Sequence, residues 1–553
     1  MSVHLRKFIS SKINELKPGS YKNINGLLQI RHNKDNFELK LPIKAVYGAT
    51  KLIEQLTILR NDEIQDVKVD SSEISFLLNN LSIKNAFKNP TKVLLTDDQK
   101  KYIVEYSSPN IAKPFHMGHL RSTIIGNFLS NLLKRIDHKV IQMNYLGDYG
   151  TQFGFLKVGI DMEKLTDEEI MKNPLQNLLK VYVAANSSKD PEVAEKARRI
   201  FEIMELKNDD EIMEQWRKIK QYTLEELKVI YERLNIKYDV YEFESMYRRK
   251  DIEDVIKLLT EKNILEKDQE GKMIVRIGER SVPFIKSDST TLYLTRDVAA
   301  FLSRRKKYRI DKTFYVVDNG QNDHFTALKN VVNQMGLNGD EYIQHIKFGR
   351  IRGMSTRKGN VVFLKDILDE AKDLMFKKQQ ESKTTKVDLS KCGEGIADIL
   401  GTSAIVVNDL RQKRQRDYEF NWNKILQLSG DSGVKFQYTH CRLYSLEREN
   451  SNINEGEELN LELIKELEAQ ELVYLILKYQ EIIYHSHNEL ESCVLVKYLF
   501  DLCNSASRAF KTLHVKNCEC KATASQRLLL FNTTRKVLKD GLDILGLKVL
   551  NEM

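Results

Sequence analysis

Two histidines, His116 and His119, stand either side of Met117-Gly118 in the stretch "SSPNIAKPFHMGHLRS" (107–122). Paired imidazoles can donate hydrogen bonds to a phosphate as negative charge builds on it. Gly118 leaves out a side chain where a base or phosphate must come close to the backbone. Upstream, "KYIVEYS" (101–107) is a short β-rich run, and Pro109 and Pro114 keep the following loop out of helix. Downstream, "GHLRSTIIGNFLSNLLKRI" puts Leu120, Ile124, Phe128, Leu132 and Ile136 on one helical stripe. The histidines are therefore expected at a helix N-terminus and at the carboxyl end of a strand. Ligands bind at that end of an α/β sheet, and the free N–H groups of a helix start suit phosphate.

By itself, HxGH is also satisfied by two capping or surface histidines. A second stretch changes the weighing. "GRIRGMSTRKGN" (349–360) is a glycine-bounded loop whose Arg357 and Lys358 could close over a leaving pyrophosphate. Alone, it reads as a solvated basic turn; together the two stretches predict nucleotide activation.

The elements that must position them follow from periodicity and breakers. "HKVIQMNYLG" (138–147) and "KTFYVVDNG" (312–320) are further β-rich runs ending in turn residues, with helical segments between, which predicts a parallel α/β sheet. Residues 155–260 read as a mostly helical insertion between two halves of that sheet. The last of eight prolines is Pro283, and from about residue 400 the apolar spacing is helical throughout, as in "LELIKELEAQELVYLILKYQEIIYHSH". That predicts an all-helical bundle. Three units are expected: 1–98, 99–398 and 399–553.

Composition bounds the rest. At 41% hydrophobic and 30% charged, the chain has the make-up of a globular protein with ample core. No apolar run approaches the ~18 residues of a membrane span, so no membrane partner is expected. Residues 1–60 hold 11 Lys/Arg against 4 Asp/Glu, the largest share of a net charge of +9. Such a surplus fits either a solvated face or phosphate contacts. The six cysteines form no CxxC pair and read as reduced thiols; no structural metal is expected. The acid-free start MSVHLRKFISSKIN suits a mitochondrial import segment and equally the first helix of a domain.

The pair of signatures resembles the HIGH and KMSKS motifs of class I aminoacyl-tRNA synthetases. "SSPNIAKPFHMGHLRSTIIGN", "NYLGDYGTQFG", "LNIKYDVYEFES", "SDSTTLYLTRD" and "GMSTRKGNVVFL" are similar to arginyl-tRNA synthetases, from about residue 100 to the C-terminus. "NPLQNLLKVYV", "GQNDHF" and "YTHCRLYSLE" look most like the mitochondrial branch, which implies the mitochondrial matrix, with the cytoplasm as the alternative. The resemblance implies a Rossmann-type α/β catalytic domain with a helical insertion, a small N-terminal α/β domain, and an all-helical anticodon-binding bundle. It implies L-arginine, ATP with Mg2+, and tRNA(Arg) as partners of a monomer.

Residue by residue, the resemblance puts ATP on His116, Gly118, His119, Met354, Ser355 and Lys358. It puts arginine on Ser108, Asn110, His119, Tyr293, Asp297 and Gln321, with Glu105 nearby. Tyr438 is the candidate for stacking on an anticodon base. Thr356 stands where KMSKS has its second lysine; the family uses a lysine before HIGH instead, here Lys113. The amino-acid list is chemically coherent. A guanidinium has five donors and no acceptor, so it needs carboxylates such as Asp297 and Glu105, and a point-charged lysine fills such a fork poorly. Without the family, a helix N-cap is the lesser reading of Asp297, and core packing is the default reading of Tyr293. The rival classes are a small-molecule adenylyltransferase, which has no use for a helical bundle, and a non-catalytic RNA-binding relative.

Overall fold

The β-rich runs become the central sheet. In the computed structural model, described over residues 3–16, 24–33, 36–46, 59–93, 98–111, 115–206, 210–247, 249–285, 292–353, 363–382, 388–427 and 430–553, strand β5 is Lys101–Glu105, β6 is Lys139–Leu146 and β11 is Lys312–Asp318. With β7 (Val240–Phe243) and β12 (Ile343–Phe348) they form a five-stranded sheet in the order β12-β11-β5-β6-β7. Every pairing is parallel. All carboxyl ends therefore open on one edge. The predicted stripe on helix Met117–Arg135 is buried along its length, Leu120 and Leu132 completely. Gly126 sits where a Cβ would lie 2.2 Å from the Tyr106 ring, so this helix crosses the sheet at glycine-only distance.

The insertion is shorter than the 155–260 expected from sequence. Helices fill residues 151–233, ending with Asp210–Arg233, and the chain then returns to the sheet as β7. The four residues of β7 are too short to show a period, which is why helical spacing seemed to run through them. A second excursion was not anticipated: β8 (Leu265–Lys267), β9 (Met273–Ile277) and β10 (Arg280–Ile285) make a small antiparallel sheet before β11. The expected boundary at 398/399 falls inside helix Leu389–Leu410. The helical bundle follows as Gly433–Glu449, Leu467–Glu489, Ser492–Thr512 and Lys521–Ile544.

The N-terminal unit is a four-stranded antiparallel sheet, β1 (Gln29–Asn33), β2 (Asn36–Pro42), β3 (Ile64–Val69) and β4 (Glu73–Leu78), in the order β1-β2-β4-β3. Helix Val3–Leu16 packs its Leu5, Ile9 and Ile13 fully into the core. Residues 3–16 form a helix packed on this sheet. Its Arg6 reaches the bundle, pairing with Glu481 at 2.8 Å, and the same carboxylate accepts the Ile30 N–H at 3.0 Å. Both side chains are under one-tenth exposed.

Breaking one partner of such a pair strands a buried charge at a cost of about 3–5 kcal/mol. Glu481→Ala should therefore lower the first thermal unfolding transition clearly, and Arg6→Met with Glu481→Leu should regain part of it. A single variant that melts like the wild type would show that the pair does not fasten the N-terminal unit.

Candidate active site

The nucleotide side is built on a helix cap. His116 is the N-cap of helix Met117–Arg135, and its Nδ1 accepts the Gly118 N–H at 3.0 Å. His119 closes the box by accepting the His116 N–H on its own Nδ1 at 3.3 Å. With both Nδ1 atoms accepting, the neutral rings carry their proton on Nε2, as assigned from this network. The rings lie 4.3 Å apart, and Phe115 stacks on His119 at 5.3 Å and 12°. A Cβ on Gly118 would sit 2.8 Å from His116, so the glycine is needed for the ring as well as for any ligand. Arg121, three residues after Gly118, is buried and holds the Gly349 carbonyl at 2.7 Å, just before the second signature. Beyond that signature, Leu364 donates its N–H to the Phe115 carbonyl at 2.8 Å. The described residues on both sides of that signature therefore contact the histidine-bearing segment. Lys113, Met354, Ser355 and Lys358 lie outside the described residues. Beside Gly349, a cavity of about 640 Å³ opens at the carboxyl ends of β11 and β12, lined by Asn319, Gly320, Gly349–Arg352 and Asp417.

The amino-acid side begins with a strained crossover. Ser107 and Ser108, directly after β5, both take positive φ, 71° and 45°. Each left-handed non-glycine residue costs about 1–2 kcal/mol, so the turn must be over-determined by its surroundings. Ser107 N–H donates to Ser122 Oγ at 2.9 Å, Ser108 N–H to Asn144 Oδ1 at 3.1 Å, and Ser107 Oγ meets the Tyr231 hydroxyl at 2.8 Å. Ser108 Oγ is buried without a hydrogen-bond partner among the described residues. Asn110 bridges to Gly147 and donates to Gln152. Gln321 follows β11 in an exposed turn.

Helix Tyr293–Tyr308 brings the charge. Its N-cap is Leu292, so Asp297 lies one turn inside the helix and is not a cap. Tyr293 is 60% exposed, which excludes a core role for its ring. Asp297 Oδ2 pairs with His324 Nε2 at 2.6 Å. Burial works against a charged His324, but the hydrogen bond and charge of Asp297, with Glu105 behind, raise its pKa overall. Glu105 differs from its expected role. Its carboxylate is taken by Arg304, whose Nε binds Glu242 at 2.6 Å, so it enters the site as the partner of an internal guanidinium. Burial pushes Glu105 up to about 7, against the pull of Arg304.

The comparisons identify the family. Residues 82–422 match the family model for the class I (R) tRNA synthetase catalytic domain, and residues 436–553 the DALR anticodon-binding domain. A probable cytoplasmic arginine–tRNA ligase of Dictyostelium discoideum is 38% identical over 94% of this chain and 95% of its own. The probable mitochondrial arginine–tRNA ligase of Bos taurus is 39% identical over 81% and 78%. The chain belongs to the arginyl-tRNA synthetases. It is an arginine–tRNA ligase, an enzyme with tRNA as a partner. The fold matches the solved arginyl-tRNA synthetase of Thermus thermophilus at TM-score 0.83 and 19% identity, over 100% of this chain and 99% of that one. That of Plasmodium falciparum matches at 0.77 and 21%, over 100% and 98%. Cytoplasmic and mitochondrial relatives match almost equally, so the matches assign no compartment.

Sequence reasoning missed Glu244, His324 and Arg304, which interact with Asp297 and Glu105. Glu244 follows β7, and its charge is felt by Tyr293 and feels Asp297. Its Oε2 is buried with no hydrogen-bond partner among the described residues. Burial pushes its carboxyl up to about 8, with Arg296 opposing and Asp297 and Asp148 adding to the rise. Its signal was present at the end of "LNIKYDVYEFES", a carboxylate just past a strand, but nothing local distinguished it from Glu242. His324 and Arg304 carried no sequence signal, because their partners are 27 and 62 or more residues away.

A pH dependence follows. In the free enzyme Glu244 is largely protonated at pH 7, and a guanidinium beside it favours the carboxylate, so binding arginine should release a proton. Arginine affinity should rise with pH, by at most tenfold per unit, and level off above about 8. Calorimetry in two buffers of different ionisation enthalpy at pH 7 reads the released proton directly. It should fall in Glu244→Gln, leaving the share of Glu105, whose carboxyl lies at about 7; a wild-type enzyme that releases none, or a variant that releases as much, would take Glu244 out of the proton balance.

Proposed function

We propose that the enzyme activates L-arginine with ATP to arginyl-adenylate and then passes the arginyl group to the 2′-hydroxyl of the terminal adenosine of tRNA(Arg). The observation that carries this reading is the juxtaposition of two sites on one sheet edge. A helix N-terminus with two Nε2–H imidazoles follows β5, and Asp297, Glu244 and the exposed Tyr293 gather at the same carboxyl ends of the sheet, after β7 and at the start of helix Tyr293–Tyr308. The first suits an α-phosphate gaining charge, and the second suits a guanidinium.

In this reading the arginine carboxylate attacks the α-phosphate in line and pyrophosphate leaves, so positioning and charge carry the rate. His116 and His119 donate to the phosphate, and Gly118 leaves room for the nucleotide. Met354, Ser355 and Lys358 cover the leaving pyrophosphate, with Lys113 supplying the cation that Thr356 cannot. Mg2+ arrives with the triphosphate. Ser108, Asn110, His119 and Gln321 hold the ammonium and carboxylate of arginine; Asp297 and Tyr293 hold its side chain, with Glu105 behind them. Tyr438, half-exposed on helix Gly433–Glu449, stacks on an anticodon base, worth ~1–3 kcal/mol. The basic N-terminal domain touches the tRNA elbow, and the enzyme works as a monomer. We place it in mitochondrial translation on the local segments "NPLQNLLKVYV", "GQNDHF" and "YTHCRLYSLE" alone, with the cytoplasm as the alternative; cell fractionation tests this.

Aminoacylation of total tRNA with each amino acid in turn should succeed for arginine only. Asp297→Asn should raise the KM for arginine by roughly ten- to a hundred-fold, because a charge-assisted partner is lost, and leave that for ATP nearly unchanged. Equal weakening toward both substrates would sink the assignment of Asp297.

A further inference from the structure

Arg121 has no assigned part in the chemistry, yet it is the meeting point of three segments distant in sequence. It lies on helix Met117–Arg135, one of the largest side chains buried in the protein, at 1% exposure. Its Nε stands 3.0 Å from Asp409 Oδ2 on helix Leu389–Leu410, and that carboxylate is equally buried. Its Nη1 donates to the Gly349 carbonyl at 2.7 Å and the Arg416 carbonyl at 3.0 Å, and its Nη2 to the Arg414 carbonyl at 3.2 Å. The guanidinium carbon lies 5.9 Å from the Phe348 ring centre and 5.2 Å from that of Tyr418.

These partners are not scattered. Gly349–Arg352 is the stem that leads into the second signature, and it is zipped along 414–420, the linker that enters the helical bundle. The pairing runs through β13 (Ile351–Arg352) against β14 (Tyr418–Glu419), with Gly349 N–H on the Arg414 carbonyl and Phe420 N–H on that of Arg352, both at 3.0 Å. Asp417 accepts the Arg350 N–H at 2.7 Å and pairs with Arg352 at 2.8 Å. A Cβ on Gly349 would lie 2.6 Å from the Arg416 backbone, so the stem fits here only as glycine. The Tyr418 hydroxyl returns to Asp409 at 2.8 Å and closes the circuit.

We infer that Arg121 is a positioning residue for the activation step: it sets Gly349–Arg352, the stretch that leads into the second signature, against the histidine helix, jointly with the linker of the anticodon-binding bundle. The physical reason is geometric. One planar guanidinium spans a carboxylate and three carbonyls at fixed angles, so stem, linker and helix cannot shift independently while it is in place. A lysine keeps the charge but offers a single point of donation. The inference rests on the activation reading above. It places the effect on the nucleotide side, because Gly349–Arg352 lead into the signature that this reading assigns to the phosphates, and not to Asp297 or Glu244.

The test uses the full-length enzyme with tRNA(Arg) present and measures arginine-dependent pyrophosphate exchange. Arg121→Lys should raise the KM for ATP by roughly tenfold or more and keep that for arginine within about twofold. Tyr418→Phe, which keeps the ring and loses only the bond to Asp409, should show the same bias more weakly. The double variant should be less than additive, since both act on one network. Hydrogen exchange at residues 349–353, read by mass spectrometry, should speed up in Arg121→Lys whatever the activity. Equal changes in both KM values, or unchanged exchange in the stem with a lowered melting temperature, would make Arg121 a structural residue only. Loss of arginine dependence in the wild type would instead count against the activation reading.

Discussion

A guanidinium is recognised by carboxylates, and carboxylates gathered in a half-dry cleft repel one another. The protein resolves this with internal cations. Glu105, Glu242, Glu244 and Asp297 converge at the carboxyl end of the sheet, from β5, β7 and helix Tyr293–Tyr308. Arg304, buried and held far on the charged side by Glu105 and Glu242, neutralises part of that set against the work of burial. Arg296 lies over the Tyr149 ring at 5.0 Å and draws on Glu244, and His324 takes Asp297. What is left is a small acidic excess near Tyr293. Without these cations the burial that already raises Glu105 and Glu244 would go unopposed, and both carboxyls would stay neutral further up the pH scale.

The same economy governs the crossover between strand and histidine helix. Two left-handed serines are tolerated because the insertion supplies Tyr231. Its hydroxyl meets Ser107 and accepts from Asn144 at 3.0 Å, while its ring stands edge-on to Phe115, which stacks on His119. One insertion side chain thus touches both the amino-acid turn and the nucleotide cap. Lys220 and Trp216, from the same helix, reach Asp148, whose carboxylate also accepts the Ser245 N–H and hydroxyl beside Glu244. The helical insertion is therefore a brace for the site.

Much of this was legible in advance, and the rest was not, for physical reasons. Strands β5, β6 and β11 showed themselves as β-rich runs ending in turns, and the stripe Leu120 to Ile136 set its helix on the sheet. His116 and His119 announced a cap because capping is local. The short β7 and the sheet β8–β10 were hidden, since three to six residues hold too few repeats to show a period. Arg121, Arg304, His324 and Tyr231 were invisible for another reason. Their roles come from partners brought near only by the fold, Asp409 lying in a different domain from Arg121 by the expected boundaries. Glu105 shows the converse case, a residue whose resemblance to a substrate ligand hid its bond to an internal arginine.

The account stands or falls on a cleft that reads charge and planarity together. The most direct measurement compares arginine with citrulline, its neutral isostere, as substrates for aminoacylation of tRNA(Arg). A site built around fixed carboxylates should favour arginine by at least ~10⁴ in kcat/KM, because citrulline leaves those charges unpaired. Citrulline used within tenfold of arginine would show that shape, not the balance of Asp297 and Glu244 against Arg304, sets the specificity.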